Sequence, residues 1–143
     1  MGPVTIFDST LRDGAQGTGI AFSLEDKLQA VRLLDQIGIQ YVEAGNPGSN
    51  PKDAEFFHRA AKLSLKNAKG IRVEEDSNLA AVLAAGTPCC SLFGKCWKFH
   101  VDKVLETSYE ENFRMIEESC RFLKSHGREV VFDAEHFFDG WKD

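Results

Sequence analysis

Apolar positions along the chain alternate between two spacings. Val4 to Asp8 (VTIFD) is a short β-rich run, and a glycine-containing loop follows to about Phe22. Ser23 with Asp26 three residues on has the form of a helix N-cap, ahead of Leu24, Leu28, Val31, Leu34 and Ile37 at helical spacing, and Gly38 closes that helix. Ile39 to Ala44 (IQYVEA) reads as a strand, and the turn-rich GNPGSNP from Gly45 to Pro51 follows it. Asn50 as cap and Pro51 at the first helical position open a second helix carrying Phe56, Phe57, Ala60 and Leu63. Ser77 caps a short helix to about Ala85, stopped by Gly86, and Pro88 to Phe93 (PCCSLF) reads as a buried strand. Thr107 and Glu110 have capping-box spacing before Phe113, Ile116, Cys120 and Leu123, Gly127 ends that helix, and Glu129 to Ala134 (EVVFDA) is the last strand.

Strands alternating with helices predict an α/β protein with a parallel sheet, because parallel neighbours need a crossover between them. In such folds the chemistry gathers at the C-terminal edge of the strands. Asp8 to Gly14, Glu43 to Gly48, Phe93 to Lys95 and Asp133 to His136 are therefore expected to converge. One place breaks the rhythm: SLKNAKGIRVEED, between Leu63 and Ser77, offers no clear apolar strand where one is due.

Composition narrows the functional classes. With 43% hydrophobic and 27% charged residues in 143, the chain has the balance of one globular domain. A net charge of −5 gives no electrostatic basis for binding nucleic acid, and no apolar run reaches the length of a membrane span. With no signal-peptide pattern at the N-terminus, the expected address is cytoplasmic. Cys89, Cys90, Cys96 and Cys120 contain no C-x-x-C pair, so reduced structural thiols are expected rather than zinc or disulfides.

FDSTLRDGAQG, YVEAGNPGSNP, LFGKCW and FDAEHFFDGWK come from four separate strand ends. Together they resemble the citramalate synthase branch of the isopropylmalate, homocitrate and citramalate synthase family, relatives of hydroxymethylglutaryl-CoA lyase. The resemblance implies a (β/α)8 TIM barrel that condenses acetyl-CoA with a 2-oxo acid, pyruvate in this branch, on the route to isoleucine. It also implies a divalent metal, Mg2+ or Mn2+ with Zn2+ as the third choice, and a homodimer. Carried over by motif, Asp13 is the metal ligand and Arg12 faces the oxo-acid oxygen. Gln16 lies in the same substrate-binding motif, Glu43 is an acid at the end of the second strand, and Glu135 is a polar contact to the bound oxo acid. The residue types suit the chemistry: a hard cation takes carboxylate oxygen, and a guanidinium stabilises a growing alkoxide without losing its proton.

Plainer readings stand beside these. Glu43 is equally an ordinary strand-end carboxylate, Lys95 a solvated lysine, and PGSNP a turn with a helix cap. His136 stands beside Glu135, but the family's metal histidines form an H-x-H pair on a later strand, which His58, His100, His126 and His136 do not. His58 and His126 read as surface helix residues, His100 as part of the loop after LFGKCW.

Two departures from the resemblance matter. Lys69 runs directly into Gly70 where relatives carry a strand and a Gly-Ser-Thr-Arg-Arg-type segment, so the third strand is expected to be missing. Residues 1–143 are otherwise read as the N-terminal part of one catalytic barrel, with the later strands and any regulatory domain outside them, and the chain alone is expected to be inactive. The alternatives left open are an isopropylmalate or homocitrate synthase, a carbon–carbon lyase or aldolase of the same group, and a half-barrel interaction fragment.

Overall fold

The computed structural model describes residues 2–49, 51–68, 70–75 and 79–143, with 70–75 described by their backbone path. Helix α1 (Leu24–Gln36) starts where the sequence places its cap: Ser23 Oγ accepts from Asp26 N at 3.1 Å, and Asp26 Oδ2 accepts from Ser23 N at 2.9 Å. This satisfies two of the donors that a helix N-terminus leaves unpaired. Gly38, at φ 88°, supplies the left-handed residue that turns the chain out of the helix.

Strand β1 (Phe7–Asp8) is shorter than the expected Val4 to Asp8, because β2 (Tyr41–Glu43) is its one described partner. Helix α2 (Pro51–Ala60) begins at the expected proline; Asn50, its expected cap, lies outside the described residues. The rhythm then continues where the sequence shows a gap. Gly70–Glu75 forms β3, its first half pairing with β2 (Val42↔Ile71) and its second half with the next strand, β4 (Cys89–Lys95; Glu74↔Ser91). The expectation of a missing third strand is corrected: a parallel sheet leaves unpaired N–H and C=O groups on both neighbours of an empty slot, and GIRVEE, though short and charged, satisfies them.

Helix α3 (Leu79–Ala84) precedes β4, and its expected cap Ser77 is outside the described residues. Helix α4 (Lys98–Lys103) occupies what reads as a loop in the sequence. Helix α5 (Tyr109–Ser125) is capped one residue later than expected, by Ser108, whose Oγ accepts from Glu111 N at 3.1 Å. Phe113 lies on the exposed side of this helix, while Leu123 is fully buried. After β5 (Glu129–Glu135) comes one more short helix, α6 (Phe137–Lys142).

All five strands are parallel and lie in chain order, the arrangement of a partial (β/α)8 barrel. Their side chains alternate. Val42, Cys90, Leu92, Val130 and Phe132 face the helices and pack with Leu28, Val31, Phe56 and Leu123. Tyr41, Glu43, Ser91, Glu129, Asp133 and Glu135 face the other way, into a cavity of about 830 Å³. The sheet also curls. Neighbouring strands lie roughly 4.8 Å apart, so β2 and β5 would stand about 14 Å apart in a flat sheet, yet Tyr41 Oη lies 3.0 Å from Glu129 Oε1. Only curvature toward a barrel brings side chains from those two strands into contact.

The approach to β3 is set by Asp35 at the end of α1. Its buried carboxylate accepts from the backbone N–H groups of Lys66, Asn67 and Ala68. Those donors, Lys66 and Ala68 first, hold its pKa below the ordinary value. A lowered folded pKa stabilises the fold at pH above the unfolded value, and that contribution is lost as pH falls through the folded one. We expect Asp35→Asn to lower the melting temperature near pH 7. The gap to wild type should narrow as pH drops below the ordinary carboxylate value of 3.8, which thermal denaturation followed against pH checks.

Candidate active site

The loop after β1 folds back over the sheet because Ser9 O accepts from both Arg12 N and Gly14 N, and a short 3-10 turn (Gly14–Gln16) follows. Leu11 plugs into the core as a fully buried side chain, so the residues after it stand over the C-terminal edge of the strands. Arg12 reaches inward from that position. Its Nε donates to Glu43 Oε2 at 3.1 Å, Nη1 lies 3.3 Å from Asp13 Oδ1, and Nη2 lies 3.7 Å from Asp133 Oδ2. One guanidinium thus ties together the first loop and the ends of β2 and β5.

Burial ranks these contacts. The Glu43 side chain is 2% exposed and requires a counter-charge there, whereas Asp13 is 67% exposed. Glu135, at the last position of β5, does not join Arg12; Lys95 Nζ stands 2.7 Å from its Oε2. Lys95 is therefore ion-paired rather than solvated. Gln16 is exposed and lines a second cavity of about 360 Å³ on the far side of Arg12. The expected convergence of Arg12, Asp13 and Glu43 is what the fold produces, with Glu135 and Gln16 on its flanks.

Asp133 was not singled out in the sequence as a partner of Arg12. The available signal was the strand period, which puts it on the same face as Glu135. Two more residues, Lys27 and Asp53, form a buried pair behind the loop after β2, and helical periodicity alone gives no sign of it. The histidines stay apart from Arg12. His136 sits in the left-handed region at φ 56°, with its ring edge-on to His100 at 4.4 Å and Nδ1 3.2 Å from Asp139 Oδ2. Residues 47–49 of PGSNP form a turn, and Asn46 Oδ1 takes the N–H of Gly48 at 2.9 Å.

Of the three carboxylates around Arg12, Asp13 is the most exposed, at 67%. Glu43 and Asp133 already balance Arg12, and no group of three His, Cys, Asp or Glu with metal-site geometry occurs among the described residues. They do not complete a metal site by themselves. Cys96 adds no thiolate, because burial, followed by the Asp133 and Glu135 charges, pushes its thiol above the ordinary value. None of the four cysteines forms a disulfide, and Cys89 and Cys90 are buried.

A family profile described as HMGL-like matches residues 3–140. The chain belongs to the HMGL-like family. An (R)-citramalate synthase from Aquifex aeolicus is 47% identical over 97% of this chain, and one from Synechocystis sp. is 46% identical over 96%. The chain spans 28% and 27% of those relatives' lengths. The Aquifex alignment runs over 149 positions, so that relative carries about ten residues with no counterpart among these 143. Among solved structures, hydroxymethylglutaryl-CoA lyase from Pseudomonas aeruginosa superposes with a TM-score of 0.72 at 18% identity, over 90% of this chain and 45% of the lyase. That likeness establishes the HMGL-like barrel fold.

Removing Arg12 strands the buried Glu43 carboxylate. Arg12→Met should cost roughly 2–3 kcal/mol, below the ~3–5 kcal/mol of a fully buried pair because Arg12 is partly exposed. Asp13→Ala should stay within about 0.5 kcal/mol. Urea unfolding of the two variants checks this order.

Proposed function

We propose that this HMGL-like chain carries the first five strands of an acyltransferase barrel that condenses acetyl-CoA with pyruvate to give citramalate. The observation that carries the reading is the cluster at the strand ends, in a chain 46–47% identical to two (R)-citramalate synthases. In this reading residues 1–143 are the N-terminal part of the catalytic domain, the remaining strands and any regulatory domain lie outside them, and the enzyme is a cytoplasmic homodimer. Among the described residues no helix is long and apolar enough to cross a membrane.

A base takes a proton from the acetyl methyl group, breaking a C–H bond, and the resulting enolate carbon forms a bond to the ketone carbon of pyruvate. The carbonyl electron pair moves onto oxygen, that oxygen is then protonated, and thioester hydrolysis releases free CoA. Arg12 is suited to the growing oxyanion because its charge is permanent and Glu43 fixes its plane. Gln16 and Glu135 flank that position and orient the oxo acid. Asp13 would contribute one oxygen ligand to a divalent ion, Mg2+, Mn2+ or Zn2+, which when bound would polarise the ketone.

One observation favours a second reading. Phe137, Phe138 and Trp141 on α6 are more than half exposed, the kind of surface a non-catalytic, self-associating half barrel would use. Incubation of the full polypeptide that carries this chain with acetyl-CoA and pyruvate separates the readings. Divalent-dependent release of free CoA together with citramalate supports the synthase, cleavage of a hydroxyacyl-CoA without condensation would indicate a lyase, and self-association without thiol release an interaction fragment. Asp13→Asn should weaken Mn2+ binding in calorimetry and lower turnover by about a hundredfold or more; unchanged metal affinity with full activity contradicts its role.

A further inference from the structure

We propose that the buried Lys27–Asp53 pair is a positioning element for the candidate site. It fixes the turn after β2, and through that turn Glu43 and the guanidinium Glu43 holds. Lys27 on α1 and Asp53 on α2 are only 4% and 5% exposed, and Lys27 Nζ lies 2.5 Å from Asp53 Oδ1. The pair also bonds to the turn itself: Lys27 Nζ donates to Ala44 O at 2.9 Å, and Asp53 Oδ2 accepts from Asn46 N at 3.0 Å. The two clamped residues, Ala44 and Asn46, lie within the three that directly follow Glu43.

Gly45, between the two clamped groups, shows how closely the turn is held. Its φ is +135°, and a Cβ there would stand 2.3 Å from Asp53 Oδ2 and 3.0 Å from Lys27 Nζ. Backbone and ion pair fit because no side chain separates them. The pair also walls the cavity of about 360 Å³ that Arg12 and Gln16 line from the opposite side. Stability alone does not account for it, since a buried ion pair is often replaceable by apolar groups of similar volume at little cost. Such a replacement cannot supply the donor to Ala44 O or the acceptor for Asn46 N.

The test compares Lys27→Met/Asp53→Leu, Lys27→Arg and Gly45→Ala in the polypeptide that carries this chain. Its readouts are melting temperature, hydrogen exchange at the Asn46 amide, and kcat and KM for citramalate formation. The kinetic arm rests on the acyltransferase reading; the exchange arm does not. We expect the double variant to melt within a few degrees of wild type, exchange the Asn46 amide about tenfold faster or more, and lose kcat about tenfold with a smaller change in KM. Lys27→Arg should restore most of both, and Gly45→Ala should reproduce the exchange defect with the pair's residues intact. Unchanged Asn46 exchange in the double variant and in Gly45→Ala overturns the inference. So does a loss of kcat that merely follows melting temperature across the three variants. If the double variant does not fold, Gly45→Ala and Lys27→Arg decide by the same criteria. An inactive wild type with the exchange pattern as expected refutes the acyltransferase reading and leaves the positioning role standing.

Discussion

Burying a carboxylate is costly unless it is paired and hydrogen-bonded, and the 2% exposed Glu43 at the end of β2 has Arg12. That requirement organises the top of the sheet. To meet Glu43, Arg12 must come in from the loop after β1, which is why Leu11 is anchored in the core and Ser9 O gathers two N–H groups from the turn. The same guanidinium lies within reach of Asp133 on β5. A contact shared by β1, β2 and β5 exists only if the sheet curls, and the Tyr41–Glu129 hydrogen bond records the same curvature at the opposite ends of β2 and β5. The electrostatic need at one residue and the barrel geometry of the sheet are two descriptions of one constraint.

Strand alternation turns that constraint into a site. On β5, Val130 and Phe132 pack toward the helices while Asp133 and Glu135 face the cavity, so a single strand supplies both core and chemistry. Beneath the turn after β2, the buried charges of Lys27 and Asp53 bond to backbone. Beside the approach to β3, Asp35 does the same for residues 66–68. Both cases put a charged group against main-chain atoms where the chain must change direction without a regular ladder.

The sequence carried much of this plan. The Ser23–Asp26 box, Pro51 at a helix start and Gly38, Gly86 and Gly127 after helices are local signals, and each marks an element boundary in the structure. The parallel order alone brings together the segments that hold Arg12, Asp13 and Glu43, and the resemblance of their motifs is what singles these residues out within them. What escaped was decided by tertiary contact. GIRVEE lacks the apolar pattern of an interior strand, and two unsatisfied neighbours made it one. Helices α4 and α6 are too short for a clear period, and the α5 cap differs by one residue because Thr107 and Ser108 both suit the position. The Lys27–Asp53 pair links two helices, which no single-element pattern reports.

The most direct measurement is a double-mutant cycle between Arg12 and Glu43, with Arg12→Met, Glu43→Gln and the combined variant followed by urea unfolding. If Arg12 is the counter-charge that organises the strand ends, the two substitutions couple by about 1–3 kcal/mol. Additive effects, within about 0.3 kcal/mol, would contradict the account.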